Sequence, residues 1–213
     1  MAKKVNRFVF NSFGVNTYIL VDDTGKCLII DPGCQDREEE AQLFEFITGN
    51  HLTPVAMLNT HFHIDHIVGN TFACKSFNLS PQCHKSSKMF WETVVISGSM
   101  YGIKVENLIT PTNFIEEGDV ISFGDSSVEV FYTPGHADGS VCFVNHKEKY
   151  VVSGDVLFRD SIGRTDLPTG NFDVLYQSIV TKLFTLPDDY IVYPGHGPET
   201  TIGYEKLNNP FLN

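Results

Sequence analysis

The strongest constraint on this chain is the run Thr60-His61-Phe62-His63-Ile64-Asp65-His66, which follows directly on the apolar stretch Pro54-Val55-Ala56-Met57-Leu58-Asn59. In an extended segment, residues two apart project to the same side, so His61 and His63 point together, and Asp65 and His66 follow where the chain turns. The stretch before the run reads as a buried strand, and Gly69 to Phe77 after it as a short helix. The histidines and the aspartate therefore occupy a strand-to-helix loop, the place where α/β proteins collect their chemistry.

The same arrangement recurs further along. From Asn113 the pattern is strand-rich, with strands expected over Asp119 to Phe123, Ser127 to Tyr132, Ser140 to Val144 and Tyr150 to Ser153. One of these runs into Thr133-Pro134-Gly135-His136 and another into Ser153-Gly154-Asp155; a last strand, Tyr190 to Tyr193, leads into Pro194-Gly195-His196-Gly197-Pro198. His136, Asp155 and His196 are each an isolated ligand-type residue beside glycine, just past a β-rich segment. Singly they are weak signals, but joined to the His61–His66 cluster they form a convergent set. His51 and His146 lack this context and read as surface residues, and His84 reads as structural.

The remainder alternates strand and helix. Val5 to Phe10, Thr17 to Asp22 and Lys26 to Asp31 form an expected meander, with Asp23-Thr24-Gly25 as a hairpin turn. Asp31-Pro32-Gly33 stops the third strand and leaves Asp31 at its carboxyl end, where it either orients a ligand histidine from behind or caps the turn. Helices are expected over Gln35 to Thr48, Ser86 to Ile96 and Asp173 to Phe184, with Ser97 to Gly102 as a flexible loop. Phe90 and Trp91 are expected in the core, and Tyr101 either there or on a cleft wall. No linker, repeat or charge block divides residues 1–213, so one domain of mixed α/β class is expected, with 42% apolar residues to fill its core.

Composition excludes several function classes. A net charge of −11 with no basic cluster argues against a nucleic-acid partner. No stretch approaches the ~18 apolar residues of a membrane span, and the basic residues near the N-terminus are not followed by an apolar segment, so a soluble cytoplasmic protein is expected. Five cysteines without CxxC spacing point to reduced, buried thiols and away from a zinc-thiolate site.

Taken together, the Thr60–His66 run, Pro134-Gly135-His136, Ser153-Gly154-Asp155 and Pro194-Gly195-His196-Gly197 resemble the metallo-β-lactamase superfamily, in its glyoxalase II-like (hydroxyacylglutathione hydrolase) branch. The likeness runs over nearly the whole chain. It implies a four-layer αββα sandwich with a metal site at one edge of the two sheets. It also implies that His61, His63 and His136 hold one divalent metal and Asp65, His66 and His196 a second, with Asp155 bridging them. Imidazole and carboxylate donors without thiolate suit zinc, iron or manganese, and zinc is the expected metal.

The chemistry that follows is hydrolysis of a small thioester such as S-lactoylglutathione. Metal binding lowers the pKa of water from 15.7 to about 7, so a metal-bridging hydroxide can attack an acyl carbonyl, with Asp65 orienting it or accepting its proton. A thiol leaving group, with a pKa of about 8.5, departs without strong proton donation.

Two departures from the glyoxalase II pattern stand out. Few residues follow His196, so a short form without that family's C-terminal helical domain is expected. Arg164 matches a basic position that can meet the glutathione carboxylate, while Asp166 stands where tyrosine is common. Arg164 either clamps a substrate carboxylate or pairs with Asp160 or Asp166 in its own loop. The run Gly163-Arg164-Thr165-Asp166 also resembles the persulfide dioxygenases, which use one iron on two histidines and an aspartate, here His61, His136 and Asp155. Lactone or ester hydrolysis on the same apparatus is the other alternative.

Overall fold

The computed structural model describes residues 4–103 and 108–212. Its first six strands, β1 (Val5–Phe10), β2 (Val15–Val21), β3 (Lys26–Ile30), β4 (Thr53–Leu58), β5 (Pro81–Cys83) and β6 (Asn113–Phe114), lie side by side in chain order. Pairing is antiparallel through the opening meander and parallel from β3 onward. A second sheet is built from β7 (Val120–Phe123), β8 (Ser126–Tyr132), β9 (Val141–Asn145), β10 (Tyr150–Gly154), β13 (Ile191–Pro194) and β14 (Thr200–Thr201), in the order β14-β13-β10-β9-β8-β7. Between them in sequence, β11 (Leu157–Phe158) and β12 (Ser161–Ile162) form a separate small hairpin.

All residues of β2, β9 and β10 are buried, which requires cover on both faces of each sheet. Alternation divides their side chains. Tyr18 and Leu20 of β2, Leu28 and Ile30 of β3, and Leu58 of β4 face inward against Val130, Val141, Phe143 and Val152 of the other sheet. The outward residues Ile19, Ile29 and Met57 pack beneath helices α1 (Arg37–Gly49) and α3 (Asn70–Phe77), through Leu43, Ile47, Ala73 and Cys74. On the far side, Cys142, Val144, Val151 and Val192 pack against Leu175 and Ile179 of α5 (Phe172–Thr181) and Ile202 of α6 (Ile202–Asn208). Helix, sheet, sheet and helix thus form the expected αββα sandwich.

Helix starts follow their caps. Asp36 accepts hydrogen bonds from the amides of Glu38 and Glu39 at the head of α1, and Asn171 accepts from Val174 N, which sets the start of α5 slightly earlier than expected. One helical turn, α2 (Ile64–Ile67), begins inside the His61–His66 run and ends one residue past it.

The helix expected over Ser86 to Ile96 begins as a 3-10 turn, Lys85–Ser87, and continues as α4 from Lys88 to Met100. Ser97-Gly98-Ser99 is therefore helical, where a flexible loop was expected. Phe90, Val94 and Gly98 recur at intervals of four along the buried face, and that packing outweighs the poor helix propensity of glycine and serine. Helix α6 and the β11–β12 hairpin were not anticipated. All five cysteines are free and buried. Among the described residues, no helix is long and apolar enough to cross a membrane.

Candidate metal centre

Strand direction explains why four distant loops meet. The strands β8 and β10 each pair antiparallel with β9, and β13 runs parallel to β10, so β8, β10 and β13 end at one edge of the second sheet. His136, Asp155 and His196 follow these three ends. From the first sheet, the loop after β4 delivers His61 to His66 to the same place, and Val141 N donates to Thr60 O to join the two sheets there.

The seven side chains converge. His63 Nδ1 lies 3.1 Å from His61 Nε2 and 3.0 Å from His136 Nε2. Asp65 Oδ2 lies 3.1 Å from His196 Nε2 and 3.6 Å from His66 Nε2. Asp155 stands between the two groups, with Oδ1 3.4 Å from His66 Nε2 and Oδ2 3.6 Å from both His136 Nε2 and His196 Nε2. Three sets of donor atoms, His61/His63/His136, His61/His66/Asp155 and Asp65/His66/His196, each fall within 4.8 Å of one another, as metal-ligand sets do.

The outer hydrogen bonds aim the lone pairs inward. His136 Nδ1 lies 2.8 Å from the carbonyl oxygen of Arg164; a carbonyl only accepts, so Nδ1 carries the proton and Nε2 is left bare. Asp31 Oδ2 accepts from the Thr60 hydroxyl at 2.6 Å and lies 2.9 Å from His66 Nδ1. Having donated to Asp31, the Thr60 oxygen can only accept from His61 Nδ1, 3.1 Å away. One carboxylate therefore sets the tautomers of both His61 and His66. Of the two roles open to Asp31, orienting a histidine is the one its side chain performs.

The centre fits a cation. His66 Nε2 and Asp155 Oδ1 are buried and make no hydrogen bond among the described residues. Leaving such groups unpaired costs about 1–3 kcal/mol each, a cost that a cation between them would remove. Burial, reinforced by the neighbouring imidazoles, holds His61 well below the ordinary imidazole range, and burial then His136 bring His63 down to about 3. Both are thus neutral donors. Burial works to raise the Asp155 carboxyl, but His66, His136 and His196 outweigh it and keep the group ionised.

Close approach explains the glycines beside these residues. A Cβ on Gly195 would collide with Asp155 Oδ1 and come within 2.8 Å of His66 Cε1. Gly154 takes a φ of +51° and lies against Thr60, where a side chain would be both strained and blocked.

The centre opens into a cleft of about 570 Å³, lined by His63, Asp65, His136, Asp155 and His196 on its floor and by α4 on one wall. Arg164 also lines the cleft, but its guanidinium is exposed and held by Asp166, Nε to Oδ1 at 2.7 Å and Nη2 to Oδ2 at 2.6 Å. Of the readings open to Arg164, pairing within its own loop is what the side chain does. Tyr101 lines the cleft, Phe90 packs in the core while also touching it, and Trp91 is only partly buried. His84 is buried and stacked on Tyr132, whereas His51 and His146 are exposed. Asn16 had carried no signal, yet its Nδ2 donates to Pro194 O at 2.8 Å and Gly197 O at 2.9 Å, bracing the His196 loop.

Comparison with known proteins gives concordant relatives. A probable metallo-hydrolase of Bacillus subtilis, YqgX, is 37% identical over 211 residues, covering 99% of this chain and 98% of that one. The hydroxyacylglutathione hydrolase GloC of Haemophilus influenzae is 35% identical, covering 95% of this chain and 94% of its own. Among solved structures, BLEG-1 B3 metallo-β-lactamase superposes with a TM-score of 0.89 at 34% identity, covering 98% of this chain and 99% of that one. TTHA1623 in a di-iron-bound form gives 0.86, also at 34% identity, covering 98% and 100%. ETHE1 from Myxococcus xanthus gives 0.77 at 28% identity, covering 97% and 83%. The family model of the metallo-β-lactamase superfamily matches residues 11–196, a span that contains every residue of the centre, and the chain belongs to that superfamily.

Proposed function

We propose that the protein is a metal-dependent hydrolase of small thioesters. His61, His63 and His136 would hold one divalent cation, Asp65, His66 and His196 a second, and Asp155 would touch both. The observation that carries this reading is the pairing of bare donor atoms, His66 Nε2 and Asp155 Oδ1, at the floor of an open cleft. Two cations there, with zinc expected, would supply water acidified towards neutrality and a polarised acyl carbonyl.

The protein's own residues do the rest. Asp31, Thr60 and the Arg164 carbonyl hold the imidazoles in register. Asp65 lies beside His196 with its carboxylate partly exposed to the cleft, so it is placed to orient a water molecule or take its proton. The partner in this reading is a small acyl-thiol in the cytoplasm.

A second reading, a mononuclear-iron persulfide dioxygenase, draws support from the Gly163–Asp166 run and from the His61, His136 and Asp155 side chains at the centre. Metal analysis combined with two assays separates them. Two metals per chain and turnover of S-lactoylglutathione or a simpler thioester are expected. One iron per chain with rapid oxygen uptake on glutathione persulfide would replace the hydrolase with the dioxygenase. Turnover of lactones or oxygen esters alone would keep the metal centre but change the substrate.

A further inference from the structure

Helix α4 turns Met89, Thr93, Ser97 and Met100 into the cleft, at the i, i+4, i+8 and i+11 spacing of one helical face. The wall begins at the metal centre, where the Phe90 ring meets the His63 ring edge-on at 5.1 Å. It ends where Tyr101 meets Phe13 of the β1–β2 turn edge-on at 5.4 Å. From Phe90 to Met100 the helix rises ~15 Å. On the face that lines the cleft, the exposed apolar side chains stand at the two ends, Met89 at 40% and, at the far end, Met100 at 78% and Tyr101 at 52%, with Phe90 and Val94 buried between them. Between the ends, the Thr93 and Ser97 hydroxyls donate back to the carbonyls of Met89 and Thr93, so the face is mainly apolar, and its methionines adapt to chains of differing shape.

The charged lining shows what does not suit the cleft. Arg164 is the one lysine or arginine among the described residues that line it, and Asp166 already takes the Nε–Nη2 edge of its guanidinium and matches its charge. A carboxylate-bearing thiol carrier would meet a guanidinium whose charge Asp166 already balances, and would be repelled by that carboxylate.

We propose that the substrate group lying along α4 is an apolar chain, and that the preferred substrate class is a thioester with a medium-length aliphatic or aryl moiety and no carboxylate near Arg164. This inference rests on the hydrolase reading of the metal centre. It adds a specificity that the metal ligands do not determine.

The test uses the metal-reconstituted protein and N-acetylcysteamine thioesters with two-, four-, six- and eight-carbon saturated acyl groups, set against S-lactoylglutathione. The expected kcat/KM rises about two- to fourfold for each methylene that enters the wall. A flat or falling series, with the acetyl thioester still hydrolysed, would overturn the apolar-chain assignment and leave the hydrolase intact. If no thioester is turned over, the hydrolase reading fails, and calorimetric binding of the matching S-alkyl thioethers decides the wall by itself: affinity that grows with chain length supports it, and affinity indifferent to length overturns it.

Two substitutions localise the effect. Met100→Glu is expected to lower the octanoyl-to-acetyl ratio of kcat/KM about tenfold; an unchanged ratio places the chain elsewhere. Asp166→Asn removes the carboxylate that balances the Arg164 charge and is expected to raise kcat/KM for S-lactoylglutathione relative to acetyl thioester at least threefold. No change in that ratio would refute the exclusion of anionic carriers.

Discussion

Asp31 Oδ2 lies 2.9 Å from His66 Nδ1, and the two residues are 35 positions apart in sequence. The same carboxylate accepts from the amide and hydroxyl of Thr60, through which it also reaches His61. Its backbone sits at a φ of +49°, a conformation that asparagine tolerates well. Asp31→Asn therefore keeps the turn while removing the charge that accepts these protons. Outer partners of this kind are worth about 10–100-fold in metal affinity, and a loss of that size is expected in competition with a chromophoric chelator. An affinity within twofold of the unsubstituted protein would show that the Asp31–His66 contact does not govern the metal.

A second histidine governs acid stability away from the centre. His84 Nδ1 accepts from Ser86 N, and the ring stacks on Tyr132 at 4.2 Å. Burial, helped by Lys85, lowers its pKa below the ordinary value, so the native ring resists a proton that the unfolded chain accepts. The unfolded state then binds more protons below pH 6.5, and the stabilisation is lost as pH falls. His84→Asn supplies a neutral acceptor in the same place. Urea midpoints at pH 7 and pH 5 should show the unsubstituted protein losing more stability than the variant, by up to about 1.4 kcal/mol per pH unit. Equal losses would mean that His84 titrates as it does in the unfolded chain.

How far the site could be read from sequence depends on the range over which each signal acts. His61 and His63 were legible because the period of an extended chain acts over two residues, Asp65 and His66 because they crowd into the same short run, and His136, Asp155 and His196 because a glycine stands beside each just past a strand. The buried strands declared themselves by apolar runs. Asp31's duty was only half legible, since nothing local distinguishes an orienting carboxylate from a turn cap. The Arg164 carbonyl that orients His136 was invisible, because main-chain atoms leave no mark in a sequence. Propensity misplaced the end of α4, where Gly98 is helical because it packs. The hairpin of Leu157–Phe158 with Ser161–Ile162 has strands too short for any period to register.

Gly195 offers a direct test of how tightly the centre is packed. Its amide donates to Gly154 O at 2.8 Å and its carbonyl accepts from Asn16 N at 2.7 Å, so the backbone is held on both sides. A methyl group there can be relieved only by moving Asp155 or His66. Gly195→Ala should fold, as judged by circular dichroism, yet lose metal and about 100-fold in turnover, the usual cost of a displacement near 1 Å at reacting groups. Full metal content with undiminished turnover would mean that the loop yields in place of the ligands.

The last prediction concerns Asn16, whose buried amide braces the loop that carries His196. Its Nδ2 donates to the carbonyls of Pro194 and Gly197, and its main-chain amide holds Gly195 O. Asn16→Ala removes the two side-chain bonds, while Pro194 O keeps the Tyr18 hydroxyl at 2.7 Å and Gly197 O keeps Arg7 Nη1 at 3.0 Å, so each lost bond should cost about 0.5–1.5 kcal/mol in unfolding free energy. The consequence for the centre is asymmetric. His61 is held by Thr60 and His136 by the Arg164 carbonyl, His63 lies against both, and none of the three touches Asn16 through these bonds. The cation assigned to Asp65, His66 and His196 should therefore be lost first as free metal is lowered, giving a one-metal form over a concentration range where the unsubstituted protein holds two. Metal content measured across a series of buffered zinc concentrations checks this, and simultaneous loss of both metals would show that the two sites stand or fall together.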